Sequence, residues 1–186
     1  AIDMPARLQE TFASLSEPID VMVLLGGAND VKLINKATYS ESHGLRFGNS
    51  VADSLVSMID TAVARGIYVV ALGLLEHKEG CADACIAARD AIGARLEERC
   101  KDKSATCFFY DLGAHFPFFN IGPQERARLW KGVHPSEQGY DKIGALIFNA
   151  VAPVIEEMVW SKKVTRKSDE QSLSVEHDDQ GKRTTQ

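Results

Sequence analysis

Hydrophobic residues along the chain alternate between helically spaced sets and short continuous runs. Leu8, Phe12 and Leu15 recur at i, i+4 and i+7, which predicts a helix from Pro5 to about Leu15. The apolar run from Val21 to Leu25 is closed by glycines, as is typical of a parallel strand buried on both faces. We therefore predict a central strand there.

The same alternation continues through the middle of the chain. A polar loop is predicted from Gly27 to about Gly48, after which Asn49 can cap a helix that Gly66 ends. Ile67 to Gly73 then forms a second continuous apolar run. This run predicts another buried strand.

Three further elements complete the pattern: a helix from about Ala82 to Cys100, a strand from Thr106 to Asp111 and an amphipathic helix from Gly139 to Trp160. Helices that alternate with strands predict an α/β fold with a parallel sheet and right-handed crossovers. Residues 161–186 have mixed charges and no aromatic side chain, so we predict a disordered polar tail there.

Composition narrows the possible partners. The net charge is −5 and no basic stripe is present, which argues against a nucleic-acid partner. The apolar runs are far shorter than the roughly 18 residues that a membrane span needs. We therefore expect one domain and no membrane span, while the cellular compartment stays open.

Four cysteines, Cys81, Cys85, Cys100 and Cys107, form an even set that permits disulfides in a secreted protein. A zinc site is the alternative. The first pair lies at the start of a helical stretch and Cys107 falls in an apolar strand, rather than in the tight knuckles of zinc sites. Buried or disulfide-bonded cysteines are therefore favoured over a metal site.

Asn29 lies directly after the first predicted strand, within Gly26-Gly-Ala-Asn-Asp30. Ligands of open parallel sheets bind outside the carboxyl ends of the strands. Paired glycines let the backbone turn sharply, and the asparagine NH2 can then point into the crevice as an oxyanion donor. Ordinary turn chemistry is the alternative interpretation.

His134 lies in a loop directly before the last predicted helix, which Ser136 can cap. The helix dipole there favours a neutral imidazole, the form that a general base requires. The alternative is an ordinary surface histidine.

Together these two segments resemble blocks III and V of the SGNH (GDSL-type) esterase and lipase family. The motif Gly-x-Asn-Asp is followed about a hundred residues later by Gly-Val-His-Pro-Ser-x-x-Gly-Tyr, and the order of elements agrees over residues 5–160. The resemblance implies a flavodoxin-like three-layer α/β/α fold. It assigns Asn29 to the oxyanion hole and His134 to the general base.

The same resemblance implies hydrolysis of a small-molecule acyl ester through an acyl-enzyme, with no metal or organic cofactor. One family feature is missing, because no Gly-Asp-Ser precedes Gly27. Ser14 and Ser16 are poor nucleophile candidates, and Ser50 is predicted to start a helix. We therefore expect residues 1–160 to be the C-terminal two-thirds of an SGNH domain, recorded without its first two strands and its serine.

A second departure from the family is Lys131, three residues before the histidine, where the family usually has an aspartate. A cation there opposes the imidazolium that forms during proton transfer, so we expect a slower reaction. Either a Ser-His dyad survives, or Asp111 at a strand end substitutes for the missing carboxylate.

Other functions stay open at this stage. A catalytically inactive relative would bind an acylated or carbohydrate ligand in the same crevice. An unrelated nucleotide-binding domain would need Gly-x-Gly-x-x-Gly spacing, which Gly26-Gly27 does not provide.

Two further expectations concern the surface and the pocket. The loops 31–48 and 112–128 would shape the substrate pocket, whereas Phe116, Phe118 and Phe119 are expected to serve packing more than the pocket. Without the family's first strands, the apolar strand at Val21 becomes an open edge, so we expect this chain to be poorly soluble or to need a partner.

Overall fold

The computed structural model describes residues 3–34, 38–76, 81–102 and 105–157. The chain divides into two compact units, Ala1–Ile147 and Phe148–Gln186. Of the second unit, residues 148–157 are described, and all of them are helical. The predicted tail at 161–186 and the predicted helix end at Trp160 lie outside the described residues.

Helices and strands alternate through the first unit. The helices are α1 (Met4–Ser14), α2 (Ala28–Leu33), α3 (Glu41–Val63), α4 (Asp83–Asp102), α5 (Leu112–His115) and α6 (Pro123–Leu129). The strands are β1 (Val21–Leu24), β2 (Tyr68–Leu72), β3 (Cys107–Tyr110), β4 (Trp130–Lys131) and β5 (His134–Pro135). Residues 137–147, also helical, form α7.

Three parallel strands form the main sheet in the order β1-β2-β3, and β4 pairs with β5 in a separate antiparallel hairpin. In the main sheet Val23 pairs with Val70, and Val70 pairs with Phe108. Every residue of β2 is buried, as its continuous apolar sequence predicts. The predicted α/β class with a parallel sheet is confirmed.

The core of the first unit lies between one face of this sheet and the helices α1, α3 and α4. Because side chains alternate along a strand, one row of sheet residues faces these helices. That row includes Leu24, Val69, Ala71 and Cys107, which pack in one cluster with Leu55, Ile59, Ile92 and Leu96. The helices predicted from Pro5 to about Leu15 and from about Ala82 to Cys100 are confirmed as α1 and α4.

The prediction that the first strand is buried on both faces is wrong. In the described parts of the chain β1 pairs with β2 alone, and Val23 and Leu25 are 53% and 48% exposed. Among the described residues β1 is an edge strand of the sheet, and the face that carries Val23 is not fully covered.

The predicted loop from Gly27 to Gly48 is also corrected. It contains α2 and the first turns of α3, which begins at Glu41 rather than after Asn49. Ser40 caps α3, because its Oγ accepts a hydrogen bond from His43 N at 3.3 Å. Ser50, predicted at a helix start, therefore lies in the helix interior.

Close packing of α3 on α4 explains the glycines of this segment. A Cβ at Gly48 would lie 2.5 Å from the carbonyl oxygen of Ala88, and one at Gly44 would collide with the backbone of Ala84. Glycine lets the two helix backbones approach each other at these points. Tertiary packing thus overrides the low helix propensity of glycine.

The cysteines form two disulfides, Cys81–Cys85 and Cys100–Cys107. Among the residues whose structure is described, no group of three or more His, Cys, Asp or Glu side chains could hold a metal ion. None of the described helices is long and apolar enough to cross a membrane.

Candidate active site

A cavity of about 360 Å³ lies at the carboxyl ends of the parallel strands. Its wall includes Leu25 after β1, Leu74 and Leu75 after β2, and Leu112 after β3. Ligands of parallel α/β sheets bind at this end. The cavity is therefore where a functional site is expected, and its lining is mostly apolar.

Asn29 reaches this cavity from the first turn of α2. Gly27 caps that helix with a φ of 98°, a conformation that side chains other than glycine rarely adopt. Its carbonyl oxygen accepts the backbone N–H of Val31 at 3.0 Å, which closes the first helical turn. The glycine thus turns the chain directly from the sheet end into α2 and leaves Asn29 at the cavity wall.

His134 reaches the same cavity from the β4–β5 hairpin. The two residues of its loop are Gly132 and Val133, and Gly132 alone of the two has a positive φ, 67°. That pattern is typical of the type II′ turn, which suits two-residue hairpins. Lys131 pairs directly with His134 across the hairpin. Directly opposed residues of an antiparallel pair start from the same face of the hairpin.

The predicted cap of the last helix is confirmed. Ser136 Oγ accepts the backbone N–H of Gly139 at 3.1 Å and donates to the carbonyl oxygen of Arg128 at 2.5 Å. Lys142 Nζ lies 2.9 Å from Glu125 Oε1 and lowers the pKa of Glu125 by donating this hydrogen bond. The start of α7 is thus joined to α6 on either side of the hairpin that carries His134.

Several polar side chains at the cavity were missed by sequence reasoning: Lys32, Glu76, Arg89 and Tyr140. Glu76 follows a buried strand, as Asn29 does, so inspecting the residues after every strand would have found it. Arg89 lies within a helix, where neither spacing nor composition marks it, whereas Tyr140 ends the Gly-Val-His-Pro-Ser-x-x-Gly-Tyr motif but was not assigned to the site.

None of the described side chains that line this cavity is a serine or a threonine, and its one cysteine, Cys81, is disulfide-bonded. Ser14 Oγ instead donates to Thr11 O at the end of α1. Ser16 lines a separate cavity beside α1, and Ser50 lies within α3. The structure therefore gives none of these three serines a place beside His134.

Asp111 does not take the place of the missing aspartate. Its Oδ1 accepts the backbone N–H of Ala114 at 3.1 Å, so the carboxylate caps α5. It lines a neighbouring cavity of about 410 Å³, and His134 does not. The capping bond thus gives this strand-end carboxylate a partner other than the histidine.

The phenylalanines after β3 serve mainly in packing. Phe116 and Phe118 are 1% and 6% exposed, and each ring centroid lies 5.1 Å from that of Trp130. Phe119 packs edge-on against Phe118 and is 46% exposed. None of the three lines the cavity that holds His134.

Comparison with solved structures places this fold among GDSL-type hydrolases. A GDSL-like lipase from Bacteroides thetaiotaomicron superposes with a TM-score of 0.58 at 25% identity, over 82% of this chain and 71% of the lipase. A protein assigned as an acylhydrolase from Bacteroides fragilis gives a TM-score of 0.58 at 23% identity, over 82% and 70% of the two chains. No family model and no curated protein matches the sequence significantly. The fold is GDSL-like, and the similarity supports a hydrolase.

Proposed function

We propose that this chain is the part of a GDSL-type serine ester hydrolase that carries the oxyanion donor and the general base. In this proposal Asn29 donates its side-chain N–H to the developing oxyanion, and His134 takes the serine proton and later returns it to the leaving alcohol. The nucleophilic serine comes from a segment that is not in this sequence. Water then hydrolyses the acyl-enzyme, again with His134 as the base.

One observation carries the proposal. Two segments about a hundred residues apart, each resembling a block of the family, bring Asn29 and His134 to one cavity at the carboxyl ends of the strands. A turn asparagine and a surface histidine without a shared role have no reason to meet there. The placement therefore favours the functional interpretation of both residues over the alternatives.

The cavity lining also supports a class of substrate. Apolar side chains dominate the wall, among them Leu25, Leu74, Leu75, Val133 and Ile143. Apolar walls with few polar groups bind hydrocarbon better than a hydroxyl-rich sugar ring, whose polar groups would lose hydrogen bonds to water. We infer that an acyl chain, rather than a carbohydrate, occupies this cavity.

The first experiment is to measure the intact mass and the N-terminal sequence of the protein isolated from its source. Additional residues that encode a strand ending in a Gly-Asp-Ser motif are the expected result. A native chain that begins at Ala1 would contradict the proposal of a self-sufficient serine hydrolase.

The second experiment measures hydrolysis of 4-nitrophenyl butanoate by the protein so isolated and by its variants. Loss of a general base lowers kcat by about 10²- to 10⁴-fold, so His134→Ala is expected to fall in that range. Asn29→Ala is expected to lower kcat by about 10²- to 10³-fold, as for other oxyanion donors. His115→Ala is the control, because that exposed histidine bonds Asp111 O instead of lining the cavity. Equal activity of His134→Ala and His115→Ala would contradict the assignment.

A second function is favoured by one specific observation. Lys131 pairs with His134 across the hairpin and stands three residues before it, at the position where the family usually has an aspartate. A chain that retained the crevice without efficient catalysis would bind an acylated ligand and release it unchanged. Binding of butanoate or hexanoate by the protein, without turnover of any ester tested, would support this alternative.

A further inference from the structure

The peptide segment at Phe118 and Phe119 is held from both sides by opposite charges. The Oε2 atom of Glu76 accepts both backbone N–H groups, at 2.5 Å from Phe118 N and 3.0 Å from Phe119 N. Arg126 donates to the carbonyl oxygens of the same segment, from Nε to Phe118 O at 2.8 Å and from Nη2 to Phe119 O at 2.9 Å. We call these four contacts the Glu76–Arg126 clamp.

The clamp is stronger than ordinary loop hydrogen bonds. Each contact joins a charged group to the backbone, and such bonds are roughly twice as strong as neutral ones. The bond from Glu76 to Phe118 and that from Arg126 to Phe118 are partly buried, so water competes with them less. The Arg126 guanidinium also lies 5.0 Å from the centroid of the Phe118 ring.

Aromatic packing connects the clamped segment at Phe118 to the β4–β5 hairpin. Phe118 packs edge-on against Trp130, with 5.1 Å between ring centroids. The indole Nε1 of Trp130 is buried and has no hydrogen-bond partner within the described part of the chain, so ring contacts rather than polar contacts fix this side chain. Trp130 pairs with Pro135, the residue after His134.

Glu76 and the β4–β5 hairpin both contribute to the candidate site. Glu76 follows β2 and lines the cavity that Asn29 and His134 share. The hairpin is only two residues deep on each side, and a hairpin of that size is not stable alone. Its position relative to the sheet therefore depends on the surrounding contacts, and the clamp is one set of charged contacts among them.

We propose that Glu76 and Arg126 are positioning residues that hold His134 at the cavity through Phe118 and Trp130. This role rests on the proposed function for its effect on rate, because it assumes that His134 acts as the general base. The effect on the position of the hairpin does not depend on catalysis.

The test compares Glu76→Ala, Glu76→Gln and a control, Glu98→Ala, in the full chain. Glutamine can accept both backbone N–H groups through its one amide oxygen, whereas alanine accepts neither. Glu98 pairs with Arg95 on the surface of α4, away from the cavity, and so controls for the loss of a charge. The NMR signals of the Trp130 indole N–H and the His134 ring report the hairpin, with Trp160→Phe and His134→Ala used for assignment.

The expected result is that Glu76→Ala shifts the Trp130 and His134 signals, while Glu76→Gln and Glu98→Ala leave them close to those of the unmodified protein. Ester hydrolysis should follow: a small displacement of a catalytic group costs up to about 100-fold, so kcat of Glu76→Ala should fall about 10- to 100-fold with little change in KM.

Two results would overturn the proposal. Unshifted Trp130 and His134 signals in Glu76→Ala would show that the clamp does not position the hairpin. Unshifted Trp130 and His134 signals in Glu76→Gln, together with a kcat as low as that of Glu76→Ala, would show that the charge of Glu76 acts directly at the site. If Glu76→Ala does not fold, Arg126→Ala removes the clamp from its carbonyl side and is judged by the same signals. A protein without any ester hydrolysis speaks against the proposed function alone, since the signals still decide the clamp.

Discussion

At the scale of single residues, Lys131 is the cation directly opposite the proposed general base in the hairpin. It stands three residues before His134, where the proposed chemistry would be helped by a carboxylate that stabilises the charged imidazole of the transition state. Replacing this cation by a carboxylate is therefore expected to raise kcat, by roughly tenfold if the new charge contributes about 1.4 kcal/mol to the transition state. The measurement is 4-nitrophenyl butanoate hydrolysis by Lys131→Asp.

Lys101→Asp is the matched control for Lys131→Asp, because it makes the same change of net charge on α4. Lys101 is 71% exposed and pairs with Glu97, and it does not line the cavity. The two variants should therefore differ in rate. A Lys131→Asp protein that is no faster than Lys101→Asp would show that the lysine does not hinder the histidine.

Sequence motifs identified the two candidate residues, because each belongs to a local pattern. Asn29 follows a glycine turn after a strand, and His134 precedes a helix cap, so both can be recognised within a few residues. The position of Glu76 after β2 indicates the cavity, but its contacts with Phe118 and Phe119, 42 and 43 residues away, could not be predicted. Such pairings arise from the fold and leave no local signal.

At the scale of elements, the contact between α3 and α4 determines how far α3 extends. Gly48→Ala is expected to destabilise the protein by about 2 kcal/mol or more, since the new Cβ would meet the backbone of α4 and a backbone cannot rotate away as a side chain can. The gain in helix propensity from alanine, about 1 kcal/mol, offsets this cost only in part. Urea unfolding measures the change.

Gly93→Ala is the control for this substitution. Gly93 lies in α4, and the nearest atom to an added Cβ there is 4.0 Å away, so the methyl group fits. The propensity gain should then appear alone, as a stabilisation of about 0.5–1 kcal/mol. If both alanine variants were equally stable, close approach of the helices would not be the reason for the glycine at position 48.

The same contact explains why sequence reasoning misplaced the start of α3. Gly44 and Gly48 have low helix propensity, which favours a loop, and Asn49 is a good capping residue. Ser40 caps instead, because packing against α4 stabilises the additional turns. By contrast β2 was predicted correctly, since a strand buried on both faces needs a continuous apolar run and its sequence has one.

At the scale of the whole molecule, the open side of β1 governs association. Val23 and Leu25 are about half exposed beside backbone groups that pair with no described strand. An apolar strand with an open edge can pair with another chain. We therefore expect this 186-residue chain, expressed alone, to self-associate as its concentration rises, which sedimentation velocity measures.

Val23→Lys should shift this association toward the monomer, because a charged side chain on an edge strand opposes pairing with a second apolar edge. Leu45→Lys is the control: that residue is 49% exposed on α3, so it adds the same charge to a helix surface without changing the strand edge. A chain that stayed monomeric at all concentrations and unfolded cooperatively would contradict the expectation. If Val23→Lys and Leu45→Lys reduced self-association equally, the association would arise from exposed apolar surface in general. Only association through the strand edge predicts a larger effect at Val23 than at Leu45.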